Sequence, residues 1–192
     1  MYSTIAIDVG APPGLVFALA RDVERWEHLL PHYARSRVVE RRADGSCIVE
    51  FVARRPVIGI LGRWLGVGLP VAWRARTWNE PGTLRLRFAH LAGATKGMDV
   101  TWRIDADGEG SRISIDHDFR PRLRPFAGFV DRAFTRPIAG RTLATFKALA
   151  EAVGEAEAMG EAEAVAVNVA DDRDASPVPH QSESLRPTNP RT

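Results

Sequence analysis

Four predicted strands in the middle of the chain each have one apolar and one charged face, and this pattern constrains the fold more than any other feature. The strands occupy residues 71–78, 83–90, 98–105 and 112–120. Short segments rich in Gly, Asp or Pro separate them, as in tight turns. Strands joined by tight turns pair antiparallel, because parallel pairing needs a long crossover. The shared apolar face must then be covered by another layer.

The N-terminal third predicts three further strands and two short helices. Residues 2–9 alternate apolar and polar side chains, and residues 35–42 and 47–55 flank a four-residue turn. Between the first strand and this hairpin, residues 13–21 and 23–30 change to helical spacing. The sequence therefore predicts about seven strands, with two short helices after the first.

A long C-terminal helix is predicted to cover the apolar face. Its apolar residues recur at helical spacing, while Pro137 is expected to kink or split it and Gly154 to end it. The apolar residues are Phe126, Phe129, Val130, Phe134, Ile138, Leu143, Phe146, Leu149 and Val153. The resulting fold class is α+β: a curved antiparallel sheet gripped by one long helix.

Composition divides the chain into a domain over residues 1–154 and a tail over residues 155–192. The first part carries 23 Lys and Arg against 16 Asp and Glu, whereas the tail carries 3 against 8. The end of the tail contains four prolines and no apolar period, so we expect an acidic, disordered segment. The arginines of the domain alternate along strands, which is typical of a solvated sheet face.

Several function classes find no support in these residues. No basic run interleaved with aromatic residues points to nucleic acid, and no histidine or cysteine spacing points to a metal. No Gly-rich phosphate loop is present, so no cofactor is expected. Cys47 is the only cysteine, which excludes an intrachain disulfide. Without a signal-like N-terminus or a long apolar run, the predicted location is cytoplasmic, with peripheral membrane contact as an alternative.

The order of elements and three segments together resemble a known superfamily. The segments are APPGLVFALARDVERWEHLLPHY at 11–33, RFAHLAGATKGMDVTWRI at 87–104 and IAGRTLATFKALAEAV at 138–153. They are similar to the START-like (SRPBCC, Bet v 1-like) superfamily, in particular its polyketide cyclase/dehydrase and coenzyme Q-binding branch. The resemblance covers about residues 2–154 and implies a helix-grip fold.

The resemblance leaves three functions open. The first is binding of a hydrophobic small molecule, such as a quinone, a lipid or a polyketide-like compound, in a cavity between sheet and helix. The second is a polyketide cyclase or aromatase. The third is a protein-interaction module. The oligomeric state is not defined by the sequence.

His90 and His117 are the candidate catalytic residues, because both fall on the apolar face of their strands. A buried histidine needs a polar partner, since an unpaired buried polar group costs about 1–3 kcal/mol. Facing a cavity, either ring could donate a hydrogen bond or act as a general acid or base. The alternative is that each ring bonds the backbone at a strand end. Asp99 and Asp116 fall on the charged face and do not predict a carboxylate pair.

The candidate ligand-binding residues are the large apolar side chains on the same face. Two indole rings could form a flat wall for an aromatic or isoprenoid ligand, with core packing as the alternative. The candidates are Trp73, Phe88, Met98, Trp102 and Phe119, with Trp64 from the loop described next.

Residues 56–70 form an unusual Gly-rich apolar connection that contains Trp64 and one charge, Arg63. Its composition fits a lid over the cavity, a peripheral membrane contact through residues 57–69, or a segment packed on its own domain. The stretch around His32 and Tyr33 indicates a surface turn, with the rim of the cavity as the alternative.

Overall fold

The computed structural model describes residues 1–56, 68–121 and 124–174. Side chains are described within these ranges, except next to the two internal gaps and after Glu161. Two compact units are present, Met1–Glu155 and Ala156–Thr192. The predicted lid, with Trp64 and residues 57–69, lies outside the described residues, apart from the backbone at its C-terminal end.

The first unit is built on one seven-stranded antiparallel sheet, as predicted. Its spatial order is β1-β7-β6-β5-β4-β3-β2, so β1 pairs with the last strand and every other pair is a consecutive hairpin. The strands are β1 Tyr2–Val9, β2 Tyr33–Arg41, β3 Cys47–Pro56, β4 Gly68–Asn79, β5 Arg85–Gly93, β6 Met98–Asp107 and β7 Gly110–Phe119.

The helices also follow the predicted order. Two short helices lie between β1 and β2, and the C-terminal helix follows β7. They are α1 Pro13–Arg21, α2 Trp26–Leu29 after a 3₁₀ turn at Val23–Arg25, α3 Arg124–Val130, a π-helical turn at Asp131–Thr135, and α4 Arg136–Asp174.

The alternation of each strand decides which side chains enter the core. In β6 the burial alternates along Met98, Val100, Trp102 and Ile104, which are all nearly inaccessible. The intervening side chains face solvent or the flanking ion pairs, and Arg103 reaches Asp116 at 2.9 Å. Inward side chains from neighbouring strands therefore share one concave face.

A π-helical turn interrupts the C-terminal helix just before Pro137. Proline has no N–H to donate, and its ring crowds the carbonyl of the fourth preceding residue. The chain accommodates this with a wider turn, in which the Arg136 N–H bonds to the Asp131 carbonyl. The predicted break is therefore present, and it takes the form of a bulge.

Beyond the π turn, α4 presents Leu143, Phe146 and Ala150 to the sheet, each at most 1% exposed. We expected the helix to end at Gly154, but it continues to Asp174. No tight turn or proline follows Gly154, and the next residues are good helix formers. In the second unit, the helix residues up to Glu161 are exposed. The disorder predicted for the rest of the tail stays a prediction.

Phe146 gives a direct test of the grip between helix and sheet. Its ring is fully buried and meets Trp26 and Trp102, with both centroid distances 5.8 Å. Phe146→Ala should lower the free energy of unfolding by about 3–5 kcal/mol, as for large buried aromatic truncations. Urea unfolding of the full chain measures this, with the neighbouring Thr145→Ala as control. Equal losses in the two variants would contradict the assigned packing.

Candidate functional site: an aromatic cavity under the C-terminal helix

A cavity lies between the concave face of the sheet and the start of α4. It is bordered by α2, by strands β2 to β7, by the β5–β6 turn and by the π-helical turn. Its lining residues are mostly aromatic or aliphatic: Trp26, Tyr33, Phe51, Val71, Trp73, Phe88, His90, Thr95, Met98, Val100, Trp102, Ile115, His117, Phe134, Thr135, Ile138, Ala139 and Thr142.

Trp26 fills the centre of the concave face. Its ring is 2% exposed, and its Nε1–H donates to the Ala20 carbonyl at 2.9 Å. Trp102 lies nearest, with ring centroids 5.2 Å apart. Four other rings lie within 5.6 to 5.8 Å of it: Tyr33, Phe51, Phe88 and Phe146. The polar end of the indole is satisfied within the N-terminal helices, so its apolar body is free to pack against the sheet.

A stack of three rings forms another wall of the cavity. Phe51 and Trp73 are stacked with centroids 5.2 Å apart, and Trp73 is stacked on His90 at 6.1 Å. Gly93 lies opposite Trp73 in the β4–β5 pair, at φ +92°. An added Cβ there would lie 2.5 Å from the Ala72 carbonyl oxygen, so only glycine allows this approach.

These side chains leave a small cavity. Its free volume is about 80 Å³, compared with roughly 300–1,000 Å³ for a drug-sized binding site. The sequence left open whether the tryptophans fill the interior or line an open pocket. In the structure the interior is mostly filled. Trp26 occupies its centre, which the side chains of the strands alone would leave empty.

His90 faces the cavity beside Trp73. Its Nδ1 lies 2.6 Å from the Thr95 hydroxyl in the β5–β6 turn. Burial, and to a lesser extent the neighbouring His117, lowers the pKa of His90 from 6.5 to about 3. The ring is therefore neutral at physiological pH and is held in place by a local hydrogen bond.

His117 is 5% exposed and faces the same cavity from β7. Burial lowers its pKa to about 4, although the backbone of Ser3 and the carboxylates of Asp131 and Asp116 act in the opposite direction. Its Nδ1 has no hydrogen-bond partner among the described residues. The Ser3 hydroxyl donates to Asp131 at 2.8 Å, which joins β1 to the π turn next to His117.

A second polar cluster lies where α2 leads into β2. His32 is 6% exposed, and its Nε2 lies 2.9 Å from the Thr142 hydroxyl, which in turn donates to the Ile138 carbonyl. Burial and the nearby Arg141 lower the pKa of His32 to about 4, and burial raises the pKa of Tyr33. The predicted turn is present and Pro31 is exposed, but the side chains of His32 and Tyr33 are buried, because α4 packs over them.

The structure brings most of the predicted site residues together. Trp73, Phe88, Met98, Trp102, His90 and His117 all line the cavity. Phe119 is a core residue, 2% exposed, and is not among the lining residues. Sequence reasoning missed Trp26, Thr95, Thr135 and Thr142, and it named Tyr33 only in the alternative of a cavity rim. Among these, only Trp26 could have been predicted from the sequence to be buried, because it is a large aromatic residue between the apolar Val23 and Leu30 of a short predicted helix.

The outer face of the sheet carries ion pairs. Glu50 accepts from Arg35 at 3.2 Å and from Arg74 at 3.0 Å, and Arg76 reaches Asp44 at 2.7 Å. Asp116 also lies on this face, buried between Thr4 and Arg103 and away from the cavity. Among the described residues, no three His, Cys, Asp or Glu side chains are arranged to hold a metal, and no helix could cross a membrane.

Comparison with known proteins assigns the chain to a family. Residues 3–153 match the model of the family described as polyketide cyclase / dehydrase and lipid transport. The chain belongs to this family. No curated protein matches the sequence significantly. Hydrophobic ligand binding or cyclase activity is therefore the function class that fold and cavity support.

Solved structures share the fold at low sequence identity. The Zhui aromatase/cyclase from Streptomyces sp. R1128 is 18% identical with a TM-score of 0.63, covering 79% of this chain and 93% of that one. The protein TTHA0849 from Thermus thermophilus is 22% identical with a TM-score of 0.57, covering 79% and 95%. The START superfamily protein from Mycobacterium smegmatis is 14% identical with a TM-score of 0.57, covering 77% and 98%. At these identities, the likeness shows the fold alone.

The lowered histidine pKa values predict a loss of stability in mild acid. Because His90 and His117 bind protons less readily when folded, protonation below about pH 6.5 favours the unfolded chain. Each should remove about 1 kcal/mol per pH unit as the pH falls from 6 to 4.5, and the contribution is fully present above pH 6.5.

Urea unfolding across this pH range checks the prediction. His117→Gln should flatten the pH dependence, whereas His28→Gln, at a side chain that is 78% exposed, serves as control. An unchanged slope in His117→Gln would show that His117 does not titrate as its burial implies.

Proposed function

We propose that this protein binds a small, flat, hydrophobic molecule in the cavity under α4. The observation that carries the proposal is a partly closed space walled by stacked aromatic rings, with few polar atoms. Burial of apolar ligand surface against such walls contributes about 25 cal/mol per Å². The family and the cavity support this function.

The cavity volume narrows the class of ligand. A space of about 80 Å³ favours a compound of no more than one ring, since an apolar cavity of roughly 150 Å³ holds benzene. A quinone with an isoprenoid tail, a long-chain lipid or a full polyketide chain would require Trp73 or another wall residue to move. We therefore propose a small aromatic compound as the ligand in preference to these larger molecules, which include coenzyme Q.

Filling the cavity tests ligand binding directly. Ala139 lines the cavity from α4 and is 7% exposed, whereas Ala144 is exposed on the same helix. Ala139→Leu adds three carbon atoms to the cavity and should weaken binding of toluene, a one-ring apolar probe, at least tenfold. Calorimetric titration of the full chain measures the affinity.

The matched variant Ala144→Leu should bind toluene as the unaltered protein does. Equal affinities in Ala139→Leu and the unaltered protein would place the probe elsewhere and refute the assigned site. Native mass spectrometry of gently purified protein adds an independent readout, since a resident apolar ligand should be retained by the unaltered protein and lost from Ala139→Leu.

A cyclase is the second candidate function, because two imidazole rings face the same cavity. Their low pKa values weigh against acid–base chemistry. A general base works best when its pKa is near the operating pH, and His90 and His117, with pKa values of about 3 and about 4, are weak bases at pH 7. The same values keep both rings neutral, which suits hydrogen bonding to a ligand.

A poly-β-ketone thioester distinguishes the two functions. We expect its cyclisation to proceed at the buffer rate in the presence of the protein. A rate enhancement that is lost in both His90→Ala and His117→Ala would instead establish the cyclase. Product profiles by liquid chromatography give the rate.

A further inference from the structure

Two large aromatic side chains on α3 face solvent. Phe126 is 40% exposed and Phe129 is 58% exposed, whereas Ala127 and Val130, on the other side of the helix, are buried. A Cβ added at Gly128 would meet no described atom within 4 Å, so this face of α3 borders open space. The exposed parts of the two rings together equal one whole phenylalanine side chain, about 200 Å². Single apolar side chains on a surface are ordinary, but adjoining ones form a patch that requires an explanation.

This phenylalanine patch, Phe126 and Phe129, is continuous with the wall of the cavity. The ring centroids of Phe126 and Phe129 are 6.4 Å apart, and Phe129 meets Phe134 edge to face at 5.8 Å. Phe134 is half-buried and lines the cavity from the π-helical turn. Three phenylalanine rings in contact therefore connect the cavity with the surface of the domain.

The chain around the phenylalanine patch is basic. Residues 118–136 contain five arginines and two aspartates. Both aspartates already form ion pairs with arginines of the same stretch. Arg132 is exposed and has no ion pair with a described residue. It follows Phe129 by three positions, and side chains at this spacing are neighbours on a helix surface. Exposed aromatic rings and an unpaired positive charge are therefore adjacent.

The charge and the size of this surface decide which partner fits it. In a two-fold dimer both copies use the same patch, so the basic residues of the two copies would come together. A stable protein–protein interface also covers about 800 Å² on each partner, several times the exposed area of these two rings. The interfacial layer of a bilayer accepts aromatic rings without a shaped groove, and anionic headgroups attract arginine. An anionic lipid surface is therefore the partner whose chemistry fits.

We infer that Phe126 and Phe129 dock the domain on a membrane surface that contains anionic lipids, with Arg132 at the level of the headgroups. The two rings enter the interfacial layer, and the sheet remains in water. This docking brings the aromatic wall of the cavity to the bilayer, so that an apolar ligand passes between them along the three phenylalanines. The inference goes beyond the proposed function, because it does not depend on which molecule the cavity binds.

Co-sedimentation of the full chain with lipid vesicles tests the docking surface. We expect binding to vesicles of phosphatidylcholine with one quarter phosphatidylglycerol, and at least tenfold weaker binding to phosphatidylcholine alone. The double variant Phe126→Ser/Phe129→Ser should bind the anionic vesicles at least tenfold more weakly, because the inserted apolar area is lost. Val39→Ser changes an exposed side chain of β2, 47% accessible, and is the control that should bind as the unaltered protein does.

Two further variants test the electrostatic part and leave both rings in place. Arg132→Gln should weaken binding to the anionic vesicles about fivefold, because one cation near the headgroups is removed. Arg37→Gln is its matched control, since Arg37 is also exposed and has no ion pair with a described residue. Gly128→Asp places a negative charge in the open space beside Phe129 and should also weaken binding at least fivefold.

Thermal unfolding and toluene titration separate docking from folding and from ligand binding. Because both rings are exposed, the double serine variant should keep the melting temperature and the toluene affinity of the unaltered protein. If the unaltered protein binds anionic vesicles but not toluene, the proposed function fails and the docking surface stands.

Three outcomes overturn the inference and leave the proposed ligand binding intact. Absence of binding to anionic vesicles refutes membrane docking and leaves a protein as the partner of the patch. Equal vesicle binding by the unaltered protein, the double serine variant and Gly128→Asp places the membrane contact elsewhere in the chain. A dimer that light scattering detects without vesicles, and that the double serine variant lacks, shows that the patch joins two copies.

Discussion

The first unit depends on the packing of Trp26 against the concave face of the sheet. The concave face of a strongly bent sheet must be covered by another element of the fold. The indole of Trp26 enters from the N-terminal helices and contacts five rings contributed by β2, β3, β5, β6 and α4. Its N–H is paired with Ala20, so this burial leaves no polar group of the indole unsatisfied. The helix α4 then closes the layer.

The cavity follows from this arrangement. Trp26 fills the middle of the concave face, and the remaining space lies between Trp73, the two inward histidines and the π-helical turn. The polar groups there are neutral, because burial makes charged imidazole too costly. A site with flat walls and neutral hydrogen-bonding groups discriminates ligands by shape and by donor pattern, and it offers little driving force for proton transfer. For this reason we place ligand binding before catalysis.

Proline and glycine have different effects on the C-terminal helix. Pro137 disturbs the hydrogen bonds of the C-terminal helix. In the π-helical turn before it, the Thr135 hydroxyl has no partner among the described residues, whereas the hydroxyls of Thr142 and Thr145 are paired. Gly154, by contrast, does not end the helix, although glycine is common at helix ends. A proline constrains the backbone wherever it stands, whereas a glycine only permits a left-handed turn and needs tertiary contacts to adopt it.

The sequence by itself determined the order of the elements, the antiparallel pairing and the inward direction of His90, His117, Trp73 and Trp102. These depend on the two-residue period of a strand and on the turns between strands, which are local properties. Only the tertiary structure decided that Trp26 fills the interior, that His32 and Tyr33 are buried, and that Thr135 borders the cavity. These depend on how α2 and α4 meet the sheet, and contacts between residues more than 100 positions apart, such as His32 and Thr142, leave no periodic signal in the chain.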